Sequence, residues 1–390
     1  MPNFRSVLLQ AHSIVGLAVS VVLAVIGLTG ATMSFEDEIL DALNASIMHV
    51  APTAAPLLTP DGILAQLKAN NVPGKVAGLT LSSDPSKAVH VRFGREDGQR
   101  PASVYVDPAD GHVLGRATAE EFFATVRRIH RWLLIPGDSK GWGRQVTGIV
   151  ALGLVVLLLS GLVLRWPRRV RSIRAWLKPN WTMRGRGFQW SLHSVVGTWM
   201  LPVYLVIAIT GLWYSFDWYR DGATWLLSSR AKAPAMQPKQ PRAPRTAATE
   251  AGPLTLDHAW AVFLRQQGNR YATAQLQLPV GGATVMRIRS IPIGATREGQ
   301  RDEFRIDVVT GTVQSASIYA DKASGDKVLS SVLDIHRGIV FGTPGRILFM
   351  LAASLMPLFT VTGFLLYFSR RKLRPAKPGA VPAGPLVAGE

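Results

Sequence analysis

Residues 12–37 read HSIVGLAVSVVLAVIGLTGATMSFED, and residues 193–218 read HSVVGTWMLPVYLVIAITGLWYSFDW. With one set on the other, His12 falls on His193, Gly16 on Gly197, Thr29-Gly30 on Thr210-Gly211 and Ser34-Phe35 on Ser215-Phe216. Each stretch is long enough to cross a bilayer, because about 20 apolar residues rising roughly 1.5 Å apiece span its ~30 Å core. Each also has a histidine in its first turn. An ionisable residue in a membrane segment is a functional hypothesis by default, and a matched pair is a stronger one.

Further apolar runs occupy residues 144–166 and 346–368, so the 390-residue chain has four candidate spans, the first two copies covering 11–34 and 192–215. The net charge of +18 first brings nucleic acid to mind. Much of it flanks the spans, however. Arg165, Arg168, Arg169, Arg171, Arg174, Lys178, Arg184 and Arg186 follow the second span, and Arg370, Arg371, Lys372 and Arg374 follow the fourth. Positive-inside topology accounts for both clusters and makes them cytoplasmic, so the partner they imply is the lipid bilayer and not nucleic acid. The chain has no cysteine, which excludes disulfides, iron–sulfur ligation and thiolate metal sites. No small-residue cleavage site follows Gly30, so the first span reads as uncleaved, with the N-terminus inside and Phe35-Glu36-Asp37-Glu38 emerging in the periplasm of a bacterial inner membrane.

The soluble stretches repeat as well. TPDGILAQLKANN (59–71) reads as a helix capped by Asp61, followed by alternating strands and the hairpin ASVYVDPADGHVLG (102–115) with Asp-Gly at its turn. In the second half LTLDHAWAVFLRQQ (254–267) gives a helix, and EFRIDVVTGTVQS (303–315) echoes the hairpin, with Asp307 on Asp107 and Gly311 on Gly111. Ile129-His130-Arg131 recurs as Ile335-His336-Arg337, and Gly143-Arg144 as Gly345-Arg346.

The expected architecture is an integral membrane, α-helical protein: four transmembrane helices from a tandem duplication, with two small α+β periplasmic modules of a helix and about three strands each. The expected layout is 1–38 first transmembrane helix, 39–117 first module, 118–168 re-entry helix and second span, and 169–188 basic cytoplasmic loop. Then come 189–218 third span, kinked at Pro202, 219–326 second module with a Pro-rich mobile loop at 230–253, and 327–370 re-entry helix and fourth span. A disordered cytoplasmic tail, 371–390, ends the chain.

This topology sorts four histidines into two levels. His12 and His193 fall at the cytoplasmic ends of odd spans, and His130 and His336 just outside the even spans on the periplasmic side. The levels lie about a membrane thickness apart, so His12 pairs with His193 and His130 with His336. Each pair is open to haem, to another metal such as zinc, or to no ligand. Two axial imidazoles beside a broad slot suit haem. Gly16, one turn after His12, frees space on the same helix face, and Gly30 lies on that face roughly 27 Å from His12. Gly197 and Gly211 repeat both positions. Close helix packing is the bland explanation of such glycines, and structural zinc would want four ligands per level. Arg131, Arg144, Arg337 and Arg346 adjoin the outer pair as candidate partners for propionates or as headgroup anchors.

Two haems across a bilayer make an electron wire. No nicotinamide, flavin or phosphate-loop motif is evident, so the reducing equivalents must come from quinol or a cytosolic reductase. Two rivals stand beside this: a haem-free binding module whose spans are anchors, and a permease, for which four spans without a polar path are too few.

The duplicated HS-[IV]-VG…TG…SF spans, the paired I-H-R helices and the VYVDPADGHVLG hairpin resemble the PepSY-associated transmembrane family over residues 5–370. The resemblance implies PepSY-like modules and, by its best-understood members, an inner-membrane ferric-siderophore reductase with two haem b per chain. His12, His193, His130 and His336 would be the axial ligands, and iron(III) held by a periplasmic siderophore would leave as iron(II). The alternatives are a haem-bearing electron donor to another periplasmic acceptor, or a haem-free PepSY regulator or peptidase inhibitor.

Overall fold

A computed structural model describes residues 3–52, 56–94, 103–166, 171, 173–228, 255–268 and 270–372. The Pro-rich loop at 230–253, most of the C-terminal tail and part of the basic loop lie outside the described residues.

In chain order the first long helix α1 (Phe4–Thr32) is followed by α2 (Glu36–Leu43), α3 (Ala45–Met48) and α4 (Pro60–Ala69). Four strands come next, β1 (Val76–Ser82), β2 (Val89–Phe93), β3 (Ser103–Val106) and β4 (Val113–Gly115), and then α5 (Glu120–Trp132). The middle of the chain forms α6 (Trp142–Arg165), α7 (Ile173–Leu177), α8 (Gly185–Ser215) and α9 (Asp217–Leu227). After α10 (Leu256–Gln267) come β5 (Tyr271–Gln277), β6 (Val285–Pro292), β7 (Asp302–Asp307) and β8 (Val313–Ser317). The chain closes with α11 (Ser324–Ser330), α12 (Val332–His336), α13 (Gly342–Ser354) and α14 (Met356–Lys372).

Four helical stretches are long and apolar enough to cross a membrane, Phe4–Leu43, Trp142–Arg165, Gly185–Ser215 and Ile339–Arg370. Two compact units divide the chain. One, helical, holds Met1–Leu28, Ile149–Ile209 and Leu351–Glu390; the other, which bears the sheet, holds Thr29–Gly148 and Thr210–Met350.

In the helical unit the expected kink at Pro202 is not a break: α8 runs through it as one helix, as membrane helices do when neighbours satisfy the freed carbonyl. The interruption falls in the fourth span, between α13 and α14, just before Pro357. Proline lacks the N–H that would bond the carbonyl four residues back, that of Ala353. The neighbours accommodate it. A Cβ on Gly27 would lie 2.6 Å from the Ala353 carbonyl oxygen, so only glycine fits there. The Tyr204 hydroxyl donates to the Ala352 carbonyl at 2.6 Å.

The sheet-bearing unit departs from expectation more strongly. Two separate three-stranded modules do not form. All eight strands make one antiparallel sheet in the order β4-β3-β2-β1-β5-β6-β7-β8. The joint is the β1–β5 pair, in register from Gly78 opposite Gln277 to Ser82 opposite Thr273. Strand alternation puts Leu79, Val91, Leu276, Ile288 and Phe304 on one face, packed with Ile63 and Leu67 of α4 and Ala259 and Phe263 of α10 in a single core. Fully burying side chains such as Ile63 and Phe263 contributes about 1.5–3 kcal/mol each, which is lost if the halves part.

The cap of α4 is Thr59, whose hydroxyl accepts from the Gly62 N–H, and not Asp61. Asp61 serves the other helix instead. Its carboxylate accepts from the Asp257 N–H at 3.0 Å, and Asp257 accepts from the Asp61 N–H at 2.9 Å. The two helix starts thus cap each other, satisfying orphan N–H groups of both. Burial raises the Asp61 carboxyl above its ordinary range, and the Asp257 charge adds to this. The second re-entry helix is also not one piece: it divides into α11 and α12 at Ser331.

Candidate functional site: two histidine pairs

His12 on α1 and His193 on α8 line one cavity of about 330 Å³ in the helical unit, a size in the range of cofactor sites. Gly16, Gly161, Gly197 and Gly363 open its walls, Leu154, Leu157 and Phe359 make them apolar, and Arg165, Arg186 and Arg370 stand on its lining. Trp190 also borders the cavity, with the Arg165 guanidinium 5.5 Å from its ring centroid.

The orientation of both rings follows from one hydroxyl each. His12 Nδ1 lies 2.8 Å from the Ser160 hydroxyl and His193 Nδ1 2.7 Å from the Thr362 hydroxyl. Those hydroxyls donate to main-chain carbonyls, Ser160 to Val156 at 2.6 Å and Thr362 to Leu358 at 2.7 Å. Their oxygens therefore accept from Nδ1–H, which fixes the tautomer and leaves the Nε2 lone pair as the ligating group. The residue after each hydroxyl is glycine. A Cβ on Gly161 would come 3.3 Å from His12 Cε1, and one on Gly363 would come 3.9 Å from His193 Cε1.

The sheet-bearing unit repeats the device. His130, near the end of α5, has Nδ1 at 3.2 Å from the Thr29 hydroxyl, and His336, ending α12, has Nδ1 at 2.8 Å from that of Thr210. A Cβ on Gly30 would lie 3.1 Å from His130 Cε1, and on Gly211 3.6 Å from His336 Cε1. The centroids of the two imidazoles are 6.3 Å apart, with their planes at 73°. Metal–imidazole bonds of roughly 2 Å on opposite sides of one ion give about that separation.

So each of the four spans has one hydroxyl–glycine dyad against one histidine: Thr29-Gly30, Ser160-Gly161, Thr210-Gly211 and Thr362-Gly363. In the sequence the repeat marks the glycines of the first and third spans, whereas the Ser-Gly and Thr-Gly of the second and fourth look like ordinary packing residues.

The arginines expected at the outer pair are mostly engaged elsewhere. Arg144 bonds both oxygens of Asp217, at 2.6 and 3.2 Å, and its Nε donates to the Tyr214 carbonyl. Arg346 pairs with the Glu38 carboxylate, donates to the Ser34 carbonyl at 2.5 Å and lies over the Phe35 ring. Arg337 reaches Asp37 at 3.4 Å, and Arg127 pairs with Glu36. Arg131 meets no carboxylate among the described residues; it lies over Trp132 at 4.7 Å, and burial lowers its pKa.

Structural zinc fits poorly. Among the described residues the one group of three His or acidic ligand atoms close enough for a metal is Asp107, Asp110 and His112. That group is a hairpin turn in which Asp107 accepts from the Ala109 N–H and Asp110 from the His112 N–H. The four paired histidines have no such company. Two imidazoles and an apolar, glycine-opened cavity with arginines on its lining match a haem instead.

Four membrane-length helices, an antiparallel sheet packed on two mutually capped helices and two histidine pairs define a membrane protein with a sheet-bearing portion. The chain belongs to the PepSY-associated transmembrane family: the model of that region matches residues 9–370. None of the curated proteins compared with it matches the chain.

Proposed function

We propose that this protein, built by tandem duplication, is a di-haem reductase of a bacterial inner membrane. It takes electrons on the cytoplasmic side, from quinol or a cytosolic reductase, and delivers them to a ferric siderophore in the periplasm. In this reading both termini are cytoplasmic, the sheet is periplasmic, His12 and His193 hold one haem b, and His130 and His336 hold the other. The observation that carries it is the fourfold hydroxyl clamp on Nδ1, a device that orients imidazoles toward a metal and has no use in a simple anchor. Bound haem supplies one-electron redox chemistry.

The chain's own residues do the rest. Ser160, Thr362, Thr29 and Thr210 hold the rings, and the glycines keep side chains out of the space beside them. Arg165, Arg186 and Arg370 are the inner candidates for propionates, and Arg131 is the outer one. One electron reduces the chelate's iron(III) to iron(II), which hard oxygen donors hold less tightly, so reduction releases the metal.

The test is anaerobic single-turnover reoxidation. Dithionite-reduced, desalted protein is mixed with a ferric siderophore and a ferrous-specific chromophoric trap. Reoxidation of the haem bands, with up to two iron(II) trapped per chain, is expected. Fully loaded protein that stays reduced with every ferric chelate tried would refute the acceptor and leave electron donation to another periplasmic protein.

A further inference from the structure

The sheet face opposite the shared core carries a second cavity, of about 400 Å³, that the histidine pairs do not use. Strand register builds its floor. Arg92 on β2 stands opposite Gly78 on β1, Gly78 opposite Gln277 on β5, and Gln277 opposite Arg287 on β6. The next row brings Gln275 opposite Arg289 and Arg289 opposite Glu303. Gly78 admits the Arg92 guanidinium to this face: a Cβ there would lie 2.7 Å from the Leu276 carbonyl oxygen and 2.8 Å from Arg92 Nη2.

Among the described residues the charge in this cavity is not balanced. Glu303 makes a two-pronged bond to Arg287, at 2.7 and 2.6 Å. Burial raises the Glu303 carboxyl, but the bond and charge of Arg287 outweigh it and hold the group below its ordinary range. Glu120 accepts from the Ser103 hydroxyl at 2.5 Å and faces His90 at 3.7 Å. Arg92 meets no carboxylate among the described residues, and its Nε is buried without a hydrogen-bond partner. Arg289 Nε is likewise buried without a hydrogen bond, 3.5 Å from the carboxylate that Arg287 already holds. Burying such donors unmet costs stability. Two guanidiniums with open donors, beside two glutamine amides, suit two carboxylates, because the guanidinium fork matches carboxylate geometry.

We propose that this cavity binds the carboxylate arms of a small anionic iron(III) chelate, making polycarboxylate chelates the substrate class. Identifying the ligand as the substrate rests on the reductase reading; the binding does not. The cavity reaches Glu120, the first residue of α5, and His130 lies ten residues along that helix, about 15 Å by its rise.

The experiment is calorimetric titration of the detergent-purified full-length protein with gallium(III) citrate, a redox-inert stand-in for ferric citrate. Saturable binding is expected, weakening as salt rises, with affinity falling tenfold or more in the Arg92→Gln/Arg289→Gln double variant. Arg265→Gln, on the exposed side of α10, serves as the charge control and should bind as wild type. An unchanged haem spectrum and melting temperature would establish that the double variant is folded. The proposal is overturned if wild type does not bind gallium citrate, if the folded double variant binds it equally well, or if a glutamate-rich peptide binds more tightly. Ferric citrate that reoxidises wild type and double variant at equal rates overturns the cavity assignment and leaves the reductase standing. Gallium citrate binding that is lost in the double variant, in a protein no ferric chelate reoxidises, upholds the cavity and removes the reductase.

Discussion

His12 and His193 belong to the spans and face an apolar cavity with arginines on its lining, whereas His130 lies near the end of α5 and His336 ends α12, outside the spans, with ring centroids 6.3 Å apart and Arg337, next to His336, paired with Asp37. What stays constant between the two places is the hydroxyl on Nδ1 and the glycine under Cε1. What changes is the source of rigidity. The rings of His12 and His193 are held by hydroxyls on packed spans. In the unit that holds His130 and His336, ion pairs also tie segments far apart in sequence, Arg144 to Asp217 and Arg346 to Glu38. The comparison teaches that ring orientation is locally encoded in each span, while the surroundings set how easily each pair is disturbed.

The sharpest way to break the comparison is to remove a ligand. His12→Ala is expected to abolish the inner haem and keep the outer, and His336→Ala the reverse, each read as a halved haem content with the protein still folded. A smaller effect is expected from the hydroxyls. Ser160→Ala and Thr362→Val should each weaken haem retention by ~10–100-fold. They should also raise the inner midpoint potential, because Nδ1–H loses its acceptor and the ligand becomes less basic; redox titration reads this, and a merely structural residue would not move it.

Smaller again, and unequal, are the glycines. Gly30→Ala places a Cβ 3.1 Å from His130 and should perturb the outer haem's spectrum, whereas Gly211→Ala meets His336 at an ordinary 3.6 Å and should not. Smallest is Arg346→Gln. Its Glu38 partner is largely exposed, so the loss should be about 1 kcal/mol or less, seen as a small drop in melting temperature with haem content unchanged.

The spans and the four histidines were legible because hydropathy and a repeated motif are local signals, and α4, α10 and the two hairpins follow from periodicity and Asp-Gly turns. The joining of eight strands into one sheet was not legible. Nothing in VAGLTLS marks it as the partner of YATAQLQ nearly two hundred residues later, because an edge that pairs and an edge that stays open have the same alternation. The break before Pro357 was hidden because its cause is shared with Gly27, on another span, and Pro202 offered a more obvious candidate. Both dyads that hold His12 and His193 are hidden for the same reason: Ser160-Gly161 and Thr362-Gly363 acquire meaning only from the histidine packed against them.

The measurement that bears most directly on this account is the visible spectrum of the purified protein, oxidised and dithionite-reduced, with haem counted per chain. The account predicts a low-spin Soret band, sharp reduced α and β bands and two haem b per chain. A protein that stays colourless after haem supplementation would contradict it and leave the four clamped histidines without a metal to hold.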